Sequence, residues 1–273
     1  MVRSLWSGAT GMIAQQTNVD TIAHNLANVN TAGYKTEVAE FKSLLYQNLQ
    51  TKTTTANGDN KPISAQVGLG VRNSSITSIF TEGAFLESAS ASAFAIDGDG
   101  FFMVRTPGGE TQYTRNGNFN WSNGPGNTLQ LTTTDGYQVL DTKGKPIQVA
   151  NNLKASEITV TSKGEVCYPD ESNNPKPLGM EIGLAQFQNP AGLEKTSNSL
   201  YRVSAASGAA INEATTNIRI EKSQIVQGYI EGSNVQVADE MVNLIVAQRA
   251  YEMNSKVIQA SDEMMGQANE LKR

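Results

Sequence analysis

The sequence predicts an α+β protein: long N- and C-terminal helices paired as a coiled-coil stalk, with a central antiparallel β domain inserted between them. Three observations predict it. The stretch from Asn234 to Arg273 has no proline, a single glycine (Gly266), and apolar residues at helical spacing. The first thirty residues repeat that spacing. The region between them changes to short runs of β-branched and aromatic residues divided by turn dipeptides.

In the C-terminal stretch, Val237, Leu244, Tyr251, Ile258 and Met265 fall seven apart and form one seam. A seven-residue apolar repeat sustained over this length asks for a partner helix. Ala250, Val257, Met264 and Leu271 widen one flank, and the small residues Ala247, Asn254, Ser261 and Ala268 on the other flank would let a neighbouring helix come close. At 1.5 Å per residue the helix would be roughly 60 Å long, more than a small domain can cover. Ser233 and Gln236 have capping-box spacing after Gly232 and mark its start. Glu252 and Lys256 stand four apart in the favourable order.

At the other end, Leu5, Met12, Val19 and Leu26 are also spaced by seven, Ile22 and Val29 continue the next position, and Gly33 is a plausible stop. The only formal side-chain charges in the first thirty residues are Arg3 and Asp20. A solvent-facing helix normally carries charges on its outer side. Here Gln15, Gln16, Thr17, Asn18, Thr21 and Asn25 take that side. Such neutral groups bond to surrounding protein without the desolvation cost of ions. The expectation is a helix surrounded by other chains, with a merely weak amphipathic helix as the alternative. The two seams together, Leu5, Met12, Val19, Ile22 and Leu26 with Val237, Leu244, Tyr251, Ile258 and Met265, are the candidate assembly-interface residues.

Residues 36–50 read as a short helical or mixed segment with Phe41, Leu44, Leu45 and Leu49 on one side. From Thr51 to Ser64 the composition shifts to Thr, Asn, Gly, Asp and Lys, with turn signals at Asn57-Gly58 and Pro62. A loop of that length suggests a job. Strand-like runs then follow, at Phe101–Arg105, Gln112–Thr114, Asn118–Trp121, Tyr137–Leu140, Ile158–Thr161 and Glu165–Tyr168. Asp99-Gly100, Gly108-Gly109, Asn116-Gly117, Asp135-Gly136 and Lys163-Gly164 divide them, the signature of an antiparallel β domain. The expected division is 1–45 for the N-terminal half of a helical core, 46–70 for an extended inter-subunit loop, 71–223 for a β-rich outer domain, and 224–273 for the C-terminal half of the core.

Composition narrows the chemistry. A net charge of −5 offers no basic surface, which argues against nucleic acid and against an anionic membrane as partners. No run approaches the 18 apolar residues of a membrane span. One cysteine, Cys167, excludes an intramolecular disulfide framework. Asp97-Gly98-Asp99-Gly100 lacks the acid that a calcium loop needs at its twelfth position, which is Gly108, so it reads as a tight turn. Gly68 and Gly70 do not complete a nucleotide-binding glycine motif. His24 is the single histidine, so a zinc site would rest on carboxylates, and no motif supports a dyad with Cys167. With no catalytic constellation, no cofactor and no metal indicated, the chain is not expected to be an enzyme. The N-terminus shows no continuous apolar core of a secretory signal, which by itself would read as cytoplasmic. On residues alone, a free-standing coiled-coil oligomer displaying a β binding domain stays open beside a polymerising subunit.

The end segments carry more than periodicity. Residues 5–16, LWSGATGMIAQQ, and 23–35, AHNLANVNTAGYK, resemble the N-terminal signature of flagellar rod and hook proteins. Residues 233–271, SNVQVADEMVNLIVAQRAYEMNSKVIQASDEMMGQANEL, are similar to the matching C-terminal signature. The β region agrees in IDGDGFFMVR (96–105), YTRNGNFN (113–120), TTDGYQVL (133–140) and FQNPAGLEKTSNSLY (187–201). Length and the segment from Tyr46 to Arg72 most resemble the distal rod branch of the family. The family usually has a second asparagine where His24 stands, and GNPLDLAI where this chain reads SASASAFAI (88–96). The resemblance implies a structural subunit of a rigid helical tube that crosses the periplasm and transmits motor torque to the hook. It implies export through the flagellar apparatus without a cleaved signal. The implied partners are copies of itself, proximal rod and hook or hook-junction subunits, surrounding periplasmic ring proteins and the export apparatus.

Overall fold

A computed structural model of the chain describes residues 2–50, 65–126, 128–151, 153–170, 174–197, 199–215 and 221–271. The chain divides into two compact units: a helical one from Met1–Ala27, Glu37–Ser78 and Gln236–Arg273, and a β one from Asn28–Thr36 and Ile79–Val235. The class is α+β, with an N-terminal helix, a central antiparallel β region and a C-terminal helix. Among the described residues no helix is long and apolar enough to cross a membrane.

The helical unit contains α1 (Val2–Ala27) and α2 (Val237–Glu270). In α1, Thr10, Thr17 and Thr21 return their hydroxyls to the carbonyls of Trp6, Ile13 and Thr17, at 3.0, 3.1 and 2.8 Å. These local bonds let a helix with few charges satisfy its hydroxyls internally. Thr21 and Asn25, expected on the outer side, are instead buried. The helix stops well before Gly33, because that glycine has another use. Its φ is +68°, and a Cβ there would meet the Arg115 carbonyl carbon and Asn116 nitrogen at 2.7 Å. Only glycine permits so close a backbone approach in that conformation. The start of α2 also differs from expectation. Ser233 accepts a bond from the Val235 amide at 3.3 Å, and the helix begins at Val237 with no side-chain cap. Asp239 and Glu240 in its first turn complement the helix dipole instead. Glu252 pairs with Arg249 at 2.9 Å rather than with Lys256. Both partners are largely exposed, so the pair contributes little.

Residues 36–50, expected to be helical or mixed, form two strands instead. β1 (Glu37–Ser43) pairs antiparallel with β4 (Val71–Ser78), from Glu37 opposite Ser78 to Ser43 opposite Val71, with an irregularity at Glu40/Phe41. β2 (Tyr46–Gln50) continues the ribbon by pairing with β3 (Ala65–Gly68). The spacing of Phe41, Leu44 and Leu45 suits a helix locally, but a ladder supplied from thirty residues downstream decides the matter. The expected loop therefore has strands at both ends; its stretch 51–64 lies outside the described residues.

In the β unit, β5 (Phe85–Glu87) and β6 (Phe94–Asp97) pair with the segments Tyr229–Glu231 and Gln224–Gln227 that lead toward α2. The largest sheet among the described residues centres on β7 (Phe101–Arg105), flanked by β8 (Thr111–Thr114) on one side and by Gln138–Val139 and Leu184–Gln186 on the other. Alternate side chains of a strand point to opposite faces. Phe102 and Val104 thus enter one core with Phe94, Phe119 and Leu131, while Phe101 and Met103 enter another with Tyr113, Phe187 and Tyr201. Burial on both faces explains why FFMV is a continuous apolar run. Asp97–Gly100 turns between β6 and β7 as expected. Cys167 is buried in the strand Glu165–Pro169, where burial pushes its thiol pKa up. The serine-rich stretch before β6 is tied down by its own hydroxyls. Ser92 donates to the Phe119 carbonyl at 2.7 Å and pairs with Ser90 at 2.9 Å, which seats Ala93 and Phe94 in the core.

Candidate assembly interface

The two helices lie antiparallel in one register. Ser4 meets Ser261 at 3.0 Å, and Asn25 meets Glu240 at 3.4 Å. Between these points, a Cβ on Gly8 would stand 3.0 Å from the Ile258 side chain, and one on Gly11 would stand 2.9 Å from the Asn254 amide. Glycine on α1 and small residues on α2 let the backbones approach this closely. The buried residues of α2 are Glu240, Ala247 and Ser261. These fall at seven-residue intervals with Asn254. Of the small-residue flank read from sequence as the place where a neighbouring helix comes close, Ala247, Asn254 and Ser261 face α1 of the same chain, while Ala268 is exposed.

The ten candidate interface residues sit beside that file rather than on it. Ile22 is buried, at 5% exposure. Leu5, Met12, Val19, Leu26, Leu244, Ile258 and Met265 are half-buried. Val237 and Tyr251 are 45% and 43% exposed. Val19 and Tyr251, with Gln16, Gln248 and Glu252, line an open furrow of about 390 Å³ along the helix pair. The sequence reading passed over Glu240, although it continues the spacing of Ala247, Asn254 and Ser261, and placed Asn25 on the outer side, where the structure buries it. His24 lies exposed on α1.

A second apolar file runs along α2. Val246 and Met253 are 62% and 61% exposed, and Val242, Val257 and Met264 are exposed with them. At 3.6 residues per turn this file lies roughly a quarter of a turn from the Ala247–Ser261 file. One chain thus presents two helical seams and covers one.

Three family profiles match the chain: a flagella basal body rod protein profile over residues 5–35, a flagellar hook protein FlgE/F/G D1 domain profile over 95–168, and a flagellar basal body rod FlgEFG protein C-terminal profile over 226–271. Over the full length of both chains, the sequence is 42% identical to the flagellar basal-body rod protein FlgG of Borreliella burgdorferi. It is 41% identical to that of Agrobacterium fabrum over 96% of this chain and 97% of the relative, and 38% identical to that of Bacillus subtilis over both whole chains. The chain belongs to the flagellar basal-body rod protein family.

In this rod-family chain, the profile ending at residue 35 and the one starting at 226 both reach past the helices into the β unit. The family signature therefore covers residues 28–35 and 226–235 as well as the seams. The family is structural, so the absence of a catalytic constellation has a ready explanation.

The rod protein's helix pair also carries a titratable group. Asn25 fixes β1 by exchanging two bonds with the Glu37 backbone, at 2.8 and 2.9 Å, and reaches Glu240 with the same amide. The other carboxyl oxygen of Glu240 is buried without a partner among the described residues. Burial pushes its pKa up; the Asn25 bond opposes this, and the neighbouring Asp239 adds to it. A carboxyl raised in the folded state binds more protons folded than unfolded. It therefore weakens the fold as pH rises from the unfolded pKa through the raised folded one. Glu240→Gln is expected to remove that dependence and to slow amide exchange at the ends of α1 and β1 at neutral pH. Exchange measured from pH 4 to pH 7 checks this, and an unchanged profile in the variant would refute it.

Proposed function

We propose that this chain is the subunit of the distal part of the flagellar rod, and that it polymerises into a rigid helical tube carrying torque from the motor to the hook. Family membership supplies the class, a structural rod subunit. The observation that carries polymerisation is the uncovered file of Val242, Val246, Met253, Val257 and Met264 on α2. Fully burying a side chain of this size is worth about 1.5–3 kcal/mol, so leaving a whole file in water is costly and covering it between copies favours association. The near-chargeless α1 suits the same surroundings, because it brings few ions to desolvate.

In this reading the antiparallel pair is a coiled coil. The seven-residue steps from Ser4 to Gly11 and from Asn254 to Ser261 support it. Leu5, Met12, Val19, Ile22 and Leu26, with Val237, Leu244, Tyr251, Ile258 and Met265, line contacts made with neighbouring copies or beside them. The ribbon of β1–β4 carries the 51–64 segment to an adjacent subunit, where it stiffens the tube. The likeness to rod proteins extends the proposal to proximal rod and hook or hook-junction subunits at the two ends. It extends further to periplasmic ring proteins outside and to the flagellar export apparatus as the route, without a cleaved signal. The test is to concentrate the purified full chain and image the product. Straight tubes of uniform width are expected, and deletion of residues 51–64 should make them curved or flexible. Stable small oligomers with both helices protected would instead favour a free-standing binding module. Straight, rigid tubes from the deletion variant would remove the stiffening role.

A further inference from the structure

The β unit contains a fully buried ion cluster that no seam uses. The Lys35 ammonium donates to Glu231 Oε1 at 2.5 Å and to the Thr81 carbonyl at 2.6 Å. The Arg115 guanidinium reaches Glu231 Oε2 at 3.4 Å and lies over the Phe101 ring, 5.2 Å from its centroid. The side chains of Lys35 and Glu231 are at 0% exposure and that of Arg115 at 1%. Ions this deep cost several kcal/mol each to desolvate, and apolar residues of similar volume often hold a core as well or better. Filling the core is therefore a poor account of the cluster.

Its bonds run to connectors. Glu231 Oε1 accepts the Gly83 amide at 3.0 Å, and the Glu231 carbonyl accepts the Gly33 amide at 2.8 Å. Three residues on, the Asn234 side chain repeats the pattern. Its Oδ1 accepts both the amide and the hydroxyl of Thr36, each at 2.7 Å. Its Nδ2 donates to the carbonyls of Ile79 and Thr81 at 3.0 and 3.2 Å and to the Thr81 hydroxyl at 2.8 Å. The Ile79 amide closes the ring on the Thr36 carbonyl at 2.9 Å. These partners lie on three connectors, 28–36, 79–84 and 231–235. Every passage of the chain into or out of the β unit runs through one of them.

We infer that Lys35, Arg115, Glu231 and Asn234 are positioning residues for assembly: they tie the three connectors into one knot, so the chain leaves the β unit toward both terminal helices from a fixed spot. A subunit that bears torque needs its polymerising segments rooted firmly. Ion pairs and a fully used asparagine root them more directionally than apolar contact, because each bond fixes an angle as well as a distance. Burial lowers the Lys35 pKa, and Glu231 opposes this, consistent with an ion whose place depends on its partner.

Two variants of the full chain test the inference, read by residue-resolved amide exchange and by rod formation. Glu231→Gln turns a carboxamide toward two cations, and Asn234→Ala removes the tie without touching a charge. For each, exchange at Gly33, Thr36, Ile79 and Gly83 is expected to speed up about tenfold or more, while Val104 and Leu131 in the sheet keep their protection and rods fail to form. An equal loss of protection across the sheet in both variants would make the cluster a mere core element and overturn the inference. Normal rods despite a loosened knot would overturn it as well. If the unaltered chain also forms no rods, the rod reading fails instead, and the exchange arm still decides whether the knot exists.

Discussion

Ile258→Asp and Met253→Asp are both expected to abolish rod formation, but by different routes. Ile258 stands in the α1–α2 contact, where its side chain fills the space left by Gly8. A carboxylate there is partly stripped of water against the α1 backbone and loses the apolar contact, which destabilises the pair. The helix pair of the free subunit should open, with loss of amide protection along α1 and α2. Met253 is 61% exposed and belongs to the uncovered file. An aspartate at that position leaves the free subunit as it is, because the new charge stays in water. It becomes costly only when a second helix covers the file. The expected result is normal helix protection in the free subunit and no sedimentable polymer. Rods formed by the Met253 variant would show that this file is not an interface. Unchanged protection in the Ile258 variant would show that the helix pair does not depend on that contact.

Phe102→Ala is expected to destabilise the β unit by about 3–5 kcal/mol. The ring is fully buried and packs edge-on against Phe119, with centroids 5.0 Å apart. A Cβ on Gly117 would already stand 3.1 Å from it, so the site is filled to contact and truncation leaves a cavity. At roughly 2–4 °C per kcal/mol for a unit of this size, calorimetry should show the β transition about 6–20 °C lower. A shift below 2 °C would mean that the core is centred elsewhere. Protection in α1 and α2 serves as the internal control, since Phe102 lies in the other unit.

Much of this was legible in the residues. Helix is the outcome wherever apolar side chains recur every seven positions without proline, and both α1 and α2 appear there. The turn at Asp97–Gly100 and the strand Phe101–Arg105 were equally local matters. The ribbon at 37–78 was not, because β1 forms on hydrogen bonds to Val71–Ser78 that no local window contains. The centre of the helix contact was half visible. The seven-residue seam through Leu244 and Ile258 was plain, but a rotation of a fraction of a turn places Ala247 and Ser261 innermost. Gly8 and Gly11, which no seven-residue pattern singles out, were the signal for so close an approach. The knot was illegible for a different reason. Lys35, Arg115 and Glu231 lie far apart in sequence, each looks like an ordinary surface residue by type, and only burial changes their meaning.

By itself, then, the sequence determined the class of the fold and its two helical ends, since periodicity and turn residues act over a few positions; its likeness to rod proteins rests on the signature segments at both ends and in the β region. The tertiary structure decided which face of each helix is covered, where the helices stop, and what roots them. Those outcomes depend on which distant groups meet and lose their water, and a linear pattern does not contain that information.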